Sequence, residues 1–353
     1  MSTANCQLSI KNKKIMKNIV IIGGGIAGVE TACALAEGGN HVTIIERDDK
    51  LGGKLNQWYC LFPDFKKSTQ VLDYIKNRIK NFDIELKLKS TVEKVEPNGD
   101  GYFIHTGNVR YAADAVVLAV GYDLFDATRK EELGYKIYDN VFTQADIEAK
   151  FRSGDLNTTF GKAPERIAIV HCVGSRDEKC HNMYCSKVCC VTGVKQAIEI
   201  AKFLPKTEIF CFYMDLRMYD KHFEELYRSA QEHHNIQFIR GRVSEVSATP
   251  DQRLSIKTED TLSGRPMKMK LDMIILLAGM EAKKNTRQVA RLFDVETEES
   301  GFLRSQDFHL GAGILSRKGI FAAGACISPM SIKETIENAR STAMQVNQYL
   351  KTL

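Results

Sequence analysis

Nineteen residues, CVGSRDEKCHNMYCSKVCC at 172–190, hold five of the ten cysteines of a 353-residue chain. The chain opens on a polar, lysine-rich stretch, MSTANCQLSIKNKKI, without the apolar centre of a signal peptide. A reducing, cytoplasmic location is therefore expected, and the thiols read as metal ligands, catalytic groups or buried small side chains rather than a disulfide framework. The run from Ser186 to Leu204 is predicted to be a helix, so Cys185 and Cys189, four apart, share a face at its N-terminus, and Cys172 arrives from a strand end. Cys190 is rotated by about 100° from Cys189 on an ideal helix, so using both requires an irregular first turn. Four thiolates beside a helix N-terminus suit an iron-sulfur cluster, because soft ligands select it and the helix dipole offsets its negative charge. A redox disulfide between Cys180 and Cys185, a zinc site and inert buried thiols are the competing readings.

A second constellation precedes it. After the apolar run NIVII come Gly23, Gly25 and Gly28, which open an amphipathic helix closed by Gly38-Gly39-Asn40; the strand HVTIIE then ends at Glu46, 18 residues beyond Gly28. Glycines there allow a tight turn and let a pyrophosphate touch the helix N-terminus, while the acid accepts hydrogen bonds from an adenosine ribose. Directly afterwards RDDKLGGK supplies another glycine pair, and KGIFAAGACISPMSIKETIENA near the C-terminus gives a glycine-ended strand and a helix whose Ser331 and Glu334 are spaced as a capping box. A simple NAD domain does not need that second glycine pair, and a long extended ligand held at both ends fits these features better.

Short β-branched runs ending in glycine recur at NIVIIGGG, DAVVLAVG, RIAIVHCVG, DMIILLAG and GIFAAGA. Continuous apolar strands of that length belong to parallel sheets covered on both faces. The fold class is thus α/β, with two Rossmann-like dinucleotide-binding domains, the second inserted into the first. Segments 122–163, 248–266 and 281–300 are polar and read as connections. At 44% hydrophobic and 26% charged the chain can bury a large core. No apolar run approaches the roughly 20 residues of a membrane span, so membrane contact is expected only through partners. A net charge of +5 without a dense basic stripe argues against nucleic acid.

With these motifs the sequence resembles the two-dinucleotide-domain flavoproteins of the thioredoxin-reductase type. That resemblance implies FAD, lined by Gly23, Gly25, Ile26, Ala27, Gly28, Glu46, Arg47, Gly53, Lys54, Val92, Ala119, Gly121, Gly324, Ala325 and Ile332. It also places the N-terminus of the last helix toward the flavin ring. Ala325-Cys326 stands where that family usually has Gly-Asp. In the second domain the nicotinamide glycine loop is missing, since only Gly174 follows the strand RIAIV before the cysteine-rich run.

The stretch HCVGSRDEKCHNMYCSKVCCVTGVKQA and the later FYMDLRMYDKHFEELYRSAQEHHNIQFIRGRV are similar to the A-type flavoprotein component of heterodisulfide reductase, in the short form found in sulfur-oxidising and quinone-interacting complexes. The resemblance implies a [4Fe-4S] cluster on Cys172, Cys185, Cys189 and Cys190, with Lys195 pointing at the flavin ring and tuning its potential. It implies a flexible leader at 1–16, an FAD-binding domain at 17–160 and 286–353, and an inserted domain at 161–285. Expected partners are other iron-sulfur and thiol- or disulfide-active subunits of such a complex, and a homodimer is expected. The function implied is an electron-transfer subunit relaying between a two-electron flavin and one-electron partners. A stand-alone NAD(P)H-dependent disulfide reductase and a non-catalytic assembly subunit with a structural flavin are the alternatives. His171, Arg217, His233 and His234 read as structural, and Cys6, Cys33, Cys60 and Cys211 as isolated surface or core thiols; Cys326 falls at the expected flavin edge.

Overall fold

The computed structural model describes residues 16–158 and 161–353; the expected leader, apart from Met16, and Cys6 lie outside the described residues. Two five-stranded parallel sheets organise the molecule. The first has the order Ile320–Ala322, Ala115–Leu118, Asn18–Ile22, His41–Ile45, Ile84–Lys87. Its central strands are buried almost throughout, because helices cover one face and an antiparallel sheet with the helix Thr286–Phe293 covers the other, which leaves no solvent side for alternation to mark.

On this sheet the helix Ile26–Glu37 packs against the C-terminal helix Ile332–Leu350. Glu30, wholly buried between them, accepts from Arg78 and Arg340 at 2.7 Å each. Two guanidinium groups offset the desolvation of that one carboxylate and tie three helices together.

The second sheet repeats the spatial order: Gln237–Arg240, Glu208–Tyr213, Arg166–Val173, Met273–Ala278, Val141–Thr143. It draws on chain expected in the first domain, since Val141–Thr143 pairs in parallel with Ile274–Leu276 and the helix Gln144–Ser153 follows directly. A strand of three residues carries no readable periodicity, which is why this part of 122–163 looks like connection. The other two polar segments also hold regular elements, the strand Leu254–Asp260 and the helix Thr286–Phe293. The chain crosses between the sheets twice, along Tyr122–Leu124 and Met280–Ala282, which pair antiparallel. A three-stranded antiparallel sheet accompanies each parallel one.

Candidate functional site

Where Asn18–Ile22 gives way to Ile26–Glu37, the chain turns through Gly23 at φ +112°, a conformation that disfavours any residue with a Cβ. A Cβ on Gly28 would stand 1.9 Å from the Gly23 carbonyl oxygen, so glycine there lets helix and turn close on each other. Gly25 caps the helix without a side chain and the first turn holds no acid, which leaves the helix N–H groups facing a cavity of about 820 Å³.

Gly23, Gly25, Ile26 and Ala27 line this cavity on one side. Glu46 and Arg47 line it from the end of the second strand, and Gly53 and Lys54 from the following turn. Val92, Ala119, Gly121, Ala325 and Ile332 complete the expected set in the lining. Gly28 and Gly324 are not in the wall but behind it, against Gly23 and Ala27. Glu46 is held ready by Gly24 N–H at 2.5 Å and Asp48 N–H at 2.9 Å, each donating to one carboxylate oxygen. Burial lowers the Lys54 pKa, opposed by Asp123 at 3.9 Å and reinforced by Arg47. Ser331 and Glu334 form the expected capping box where Ile332 enters the cavity, and Glu334 pairs with Lys187 from the cysteine-rich run. Cys326 is core: its thiol donates to Leu118 O at 3.2 Å, and burial pushes it up to about 11.

The cysteine-rich run departs from the expected helix. Lys187, at φ +60°, breaks helical geometry, and Ser186 is engaged with Ser175 and with Met280 N–H, so the helix runs Cys189–Phe203. Cys189 and Cys190 are therefore its first two residues, and Cys185 precedes it on an irregular segment, with Lys187 N–H donating to its sulfur at 3.3 Å. Cys172 sits at φ +60° where the pairing with Met273–Ala278 shifts register, a bulge that re-aims its side chain. As a result Cys172, Cys189 and Cys190 meet. Interaction with the Cys189 thiol lowers Cys172 to about 7 and Cys190 to about 4, and the same neighbours raise Cys189 well above the usual thiol value, while the Cys190 sulfur also lies 3.7 Å from Asp215 O. His171 lies beside Cys190, buried, with neither ring nitrogen in a well-aligned hydrogen bond. Among the described residues no three His, Cys, Asp or Glu side chains already stand as a ligand set. The soft, buried, partly ionised thiol set nonetheless fits an iron-sulfur cluster chemically.

Gly174, the single glycine of this run, serves packing: at φ +68° its missing Cβ leaves room for the Phe125 ring, whose carbons would otherwise lie 2.0 Å away. Lys195 differs from its expected orientation. It is absent from the cavity lining, and its amine is bound by Glu148 at 2.6 Å, Glu199 at 2.9 Å and Cys60 O at 3.1 Å in a nearly dry site. The two carboxylates stand 47 residues before it and four after it in the chain.

Sequence reasoning missed the cavity's far wall. Trp58 and the stretch from Lys283 to Phe293, including Asn285, Gln288 and Arg291, also line it. The amphipathic helix Thr286–Phe293 was the available signal, inside a segment read as connection.

A glycine-lipped cavity at the C-terminal edge of a parallel sheet, with an acid at the next strand end and a second sheet of the same order, defines an FAD-dependent oxidoreductase. More narrowly, the chain belongs to the pyridine nucleotide-disulphide oxidoreductase family, whose profile matches residues 2–151 and 190–345. It is 29% identical over 418 aligned residues to the A component of the H(2)/formate:CoB-CoM heterodisulfide,ferredoxin reductase of Methanococcus maripaludis, covering 94% of this chain and 64% of that one. It is 28% identical to the iron-sulfur A component of the CoB--CoM heterodisulfide reductase of Methanocaldococcus jannaschii, over 95% of this chain and 64% of the relative. The chain thus spans just under two thirds of these curated relatives. Thioredoxin reductase from Lactococcus lactis shares the fold, with a TM-score of 0.66 at 18% identity over 96% of this chain and 100% of that one. Among the described residues no helix is long and apolar enough to cross a membrane.

Proposed function

We propose that the chain is the FAD- and [4Fe-4S]-containing electron-transfer subunit of a heterodisulfide-reductase-like complex in sulfur or anaerobic energy metabolism. The observation that carries this reading is the meeting of Cys172, Cys189 and Cys190 at the N-terminus of the helix Cys189–Phe203, where a nicotinamide domain would have a glycine loop. Cys185, on the irregular segment just ahead, is the fourth ligand in this reading. FAD would exchange electrons in pairs and the cluster singly, which is the exchange a relay between unlike partners needs. The wall residues Gly23, Gly25, Ile26 and Ala27, with Arg47 and Lys54, would cradle the diphosphate, Glu46 the ribose end, and Gly53, Val92, Ala119, Gly121, Ala325 and Ile332 the remaining length of the FAD, with Gly28 and Gly324 keeping the wall thin.

The partners would be iron-sulfur and thiol- or disulfide-active subunits of that complex, with the chain itself a cytoplasmic homodimer that meets a membrane only through them. In this reading the chain divides into an FAD-binding unit and an inserted degenerate unit, the inserted one taking in Val141–Thr143 as well. Lys195 in this reading acts on the flavin only through its charge and the Glu148 network. Anaerobic reduction tests the relay: a one-electron viologen donor should bleach the flavin rapidly, and NADH or NADPH alone should not. Rapid bleaching by either nicotinamide would replace the relay with an NAD(P)H-dependent disulfide reductase.

A further inference from the structure

The charges around the cavity do not balance. Arg47 and Lys54 face it from the first sheet's side. A further cation, Lys283, lines it from the segment returning from the second sheet, and its place is fixed by the crossing strands: Ala282 pairs with Tyr122 and Glu281 with Asp123, which sets Lys283 one residue beyond the ladder, near Gly121. Nothing in the glycine motif announces it.

Three of the nearby acids are already engaged, while Glu93 also lines the cavity. Glu46 accepts from two backbone N–H groups, Asp48 lies 3.7 Å from Arg47, and Asp123 lies 3.9 Å from Lys54 and accepts from Lys284 N–H at 3.3 Å. Asp123 and Glu46 act on Lys283 only through space, while Arg47 and Lys54 repel it. Burial, first, and that repulsion lower its pKa. Four cations, counting Arg291 from the helix Thr286–Phe293, share this partly enclosed cavity with Glu46, Asp48 and Glu93; of these, Arg47, Lys54 and Lys283, beside an uncapped helix N-terminus, would be stabilised together by one compact dianion.

We propose that Lys283 completes a diphosphate-binding set with Arg47 and Lys54, so that the segment returning from the second sheet clamps the dinucleotide already held by the glycine turn. The assignment rests on the FAD reading of this cavity and extends it to a residue on the returning segment. It gives the crossing strands Tyr122–Leu124 and Met280–Ala282 a role in cofactor retention, because they set where the amine stands.

The test uses the full chain, stripped of flavin and titrated with FAD and with ADP, at low and at high salt. Lys283→Met should weaken FAD about 10- to 100-fold, the worth of a charge-assisted hydrogen bond. ADP should weaken in the same proportion, the salt dependence of both should fall, and Lys283→Arg should retain most affinity. Lys283→Met with wild-type affinity and an unchanged salt dependence overturns the assignment, as does equal weakening by Lys283→Met and Lys283→Arg. A folded wild-type chain that binds neither ligand overturns the FAD reading and the assignment together, whereas loss confined to the variant leaves the FAD reading standing and supports the clamp.

Discussion

Lys195 Nζ lies 2.6 Å from Glu148 Oε1, with both side chains almost wholly withdrawn from solvent. Glu148 also accepts from Gln196 at 2.7 Å and from Tyr59 N–H at 2.7 Å, and the Lys195 amine donates to Cys60 O. One buried ion pair thus joins the Tyr59–Cys60 turn, the helix Gln144–Ser153 and the cysteine-bearing helix. Trp58, immediately before that turn, lines the cofactor cavity, so the pair anchors the cavity's edge to the cysteine site.

Removing the amine leaves two carboxylates in a dry site. Lys195→Met should cost about 3–5 kcal/mol of stability, as breaking one partner of a buried pair does. Urea unfolding of the variant checks this, and a midpoint equal to wild type would show that the pair is replaceable.

Glu199 gives the same site a pH dependence. Burial raises its pKa above the usual carboxylate value, opposed by Lys195 and reinforced by Glu148, and neither of its oxygens accepts a well-aligned hydrogen bond. The native state therefore binds this proton more tightly than the unfolded chain, so its contribution is complete below the unfolded pKa and is lost as pH rises through the folded one. Glu199→Gln should flatten the stability curve over that interval, above about pH 4.5. An identical slope in the variant would assign the effect to another group.

Two glycines are expected to be intolerant for steric reasons. Gly28→Ala pushes a methyl into the Gly23 carbonyl, and Gly174→Ala into the Phe125 ring at a positive φ. Each should cost about 1–3 kcal/mol, and Gly28→Ala should also lower FAD occupancy. Thermal unfolding combined with flavin absorbance separates the two effects, and full FAD occupancy in Gly28→Ala would contradict the close-approach argument.

The sequence disclosed what is local. Strand Asn18–Ile22, the glycine turn, the helix Ile26–Glu37 and Glu46 follow one another within thirty residues, and each announces itself by residue type. The Ser331–Glu334 box was equally legible. What escaped depends on long-range pairing: Val141–Thr143 is a strand only because Met273–Ala278 lies beside it, and Lys195 faces Glu148 because two helices pack. The start of the cysteine helix was misplaced by three residues because Lys187, itself a good helix former, takes a left-handed conformation. That shift makes Cys189 and Cys190 the first two residues of the helix and puts Cys185 on the irregular segment before it.

The central claim is that one chain carries both a flavin and a cluster, and counting iron, sulfide and FAD on protein purified without oxygen tests it most directly. The account predicts about four iron and four sulfide for each FAD. It also predicts that Cys185→Ser loses the iron and keeps the flavin. Flavin without iron, persisting after anaerobic reconstitution, would contradict it.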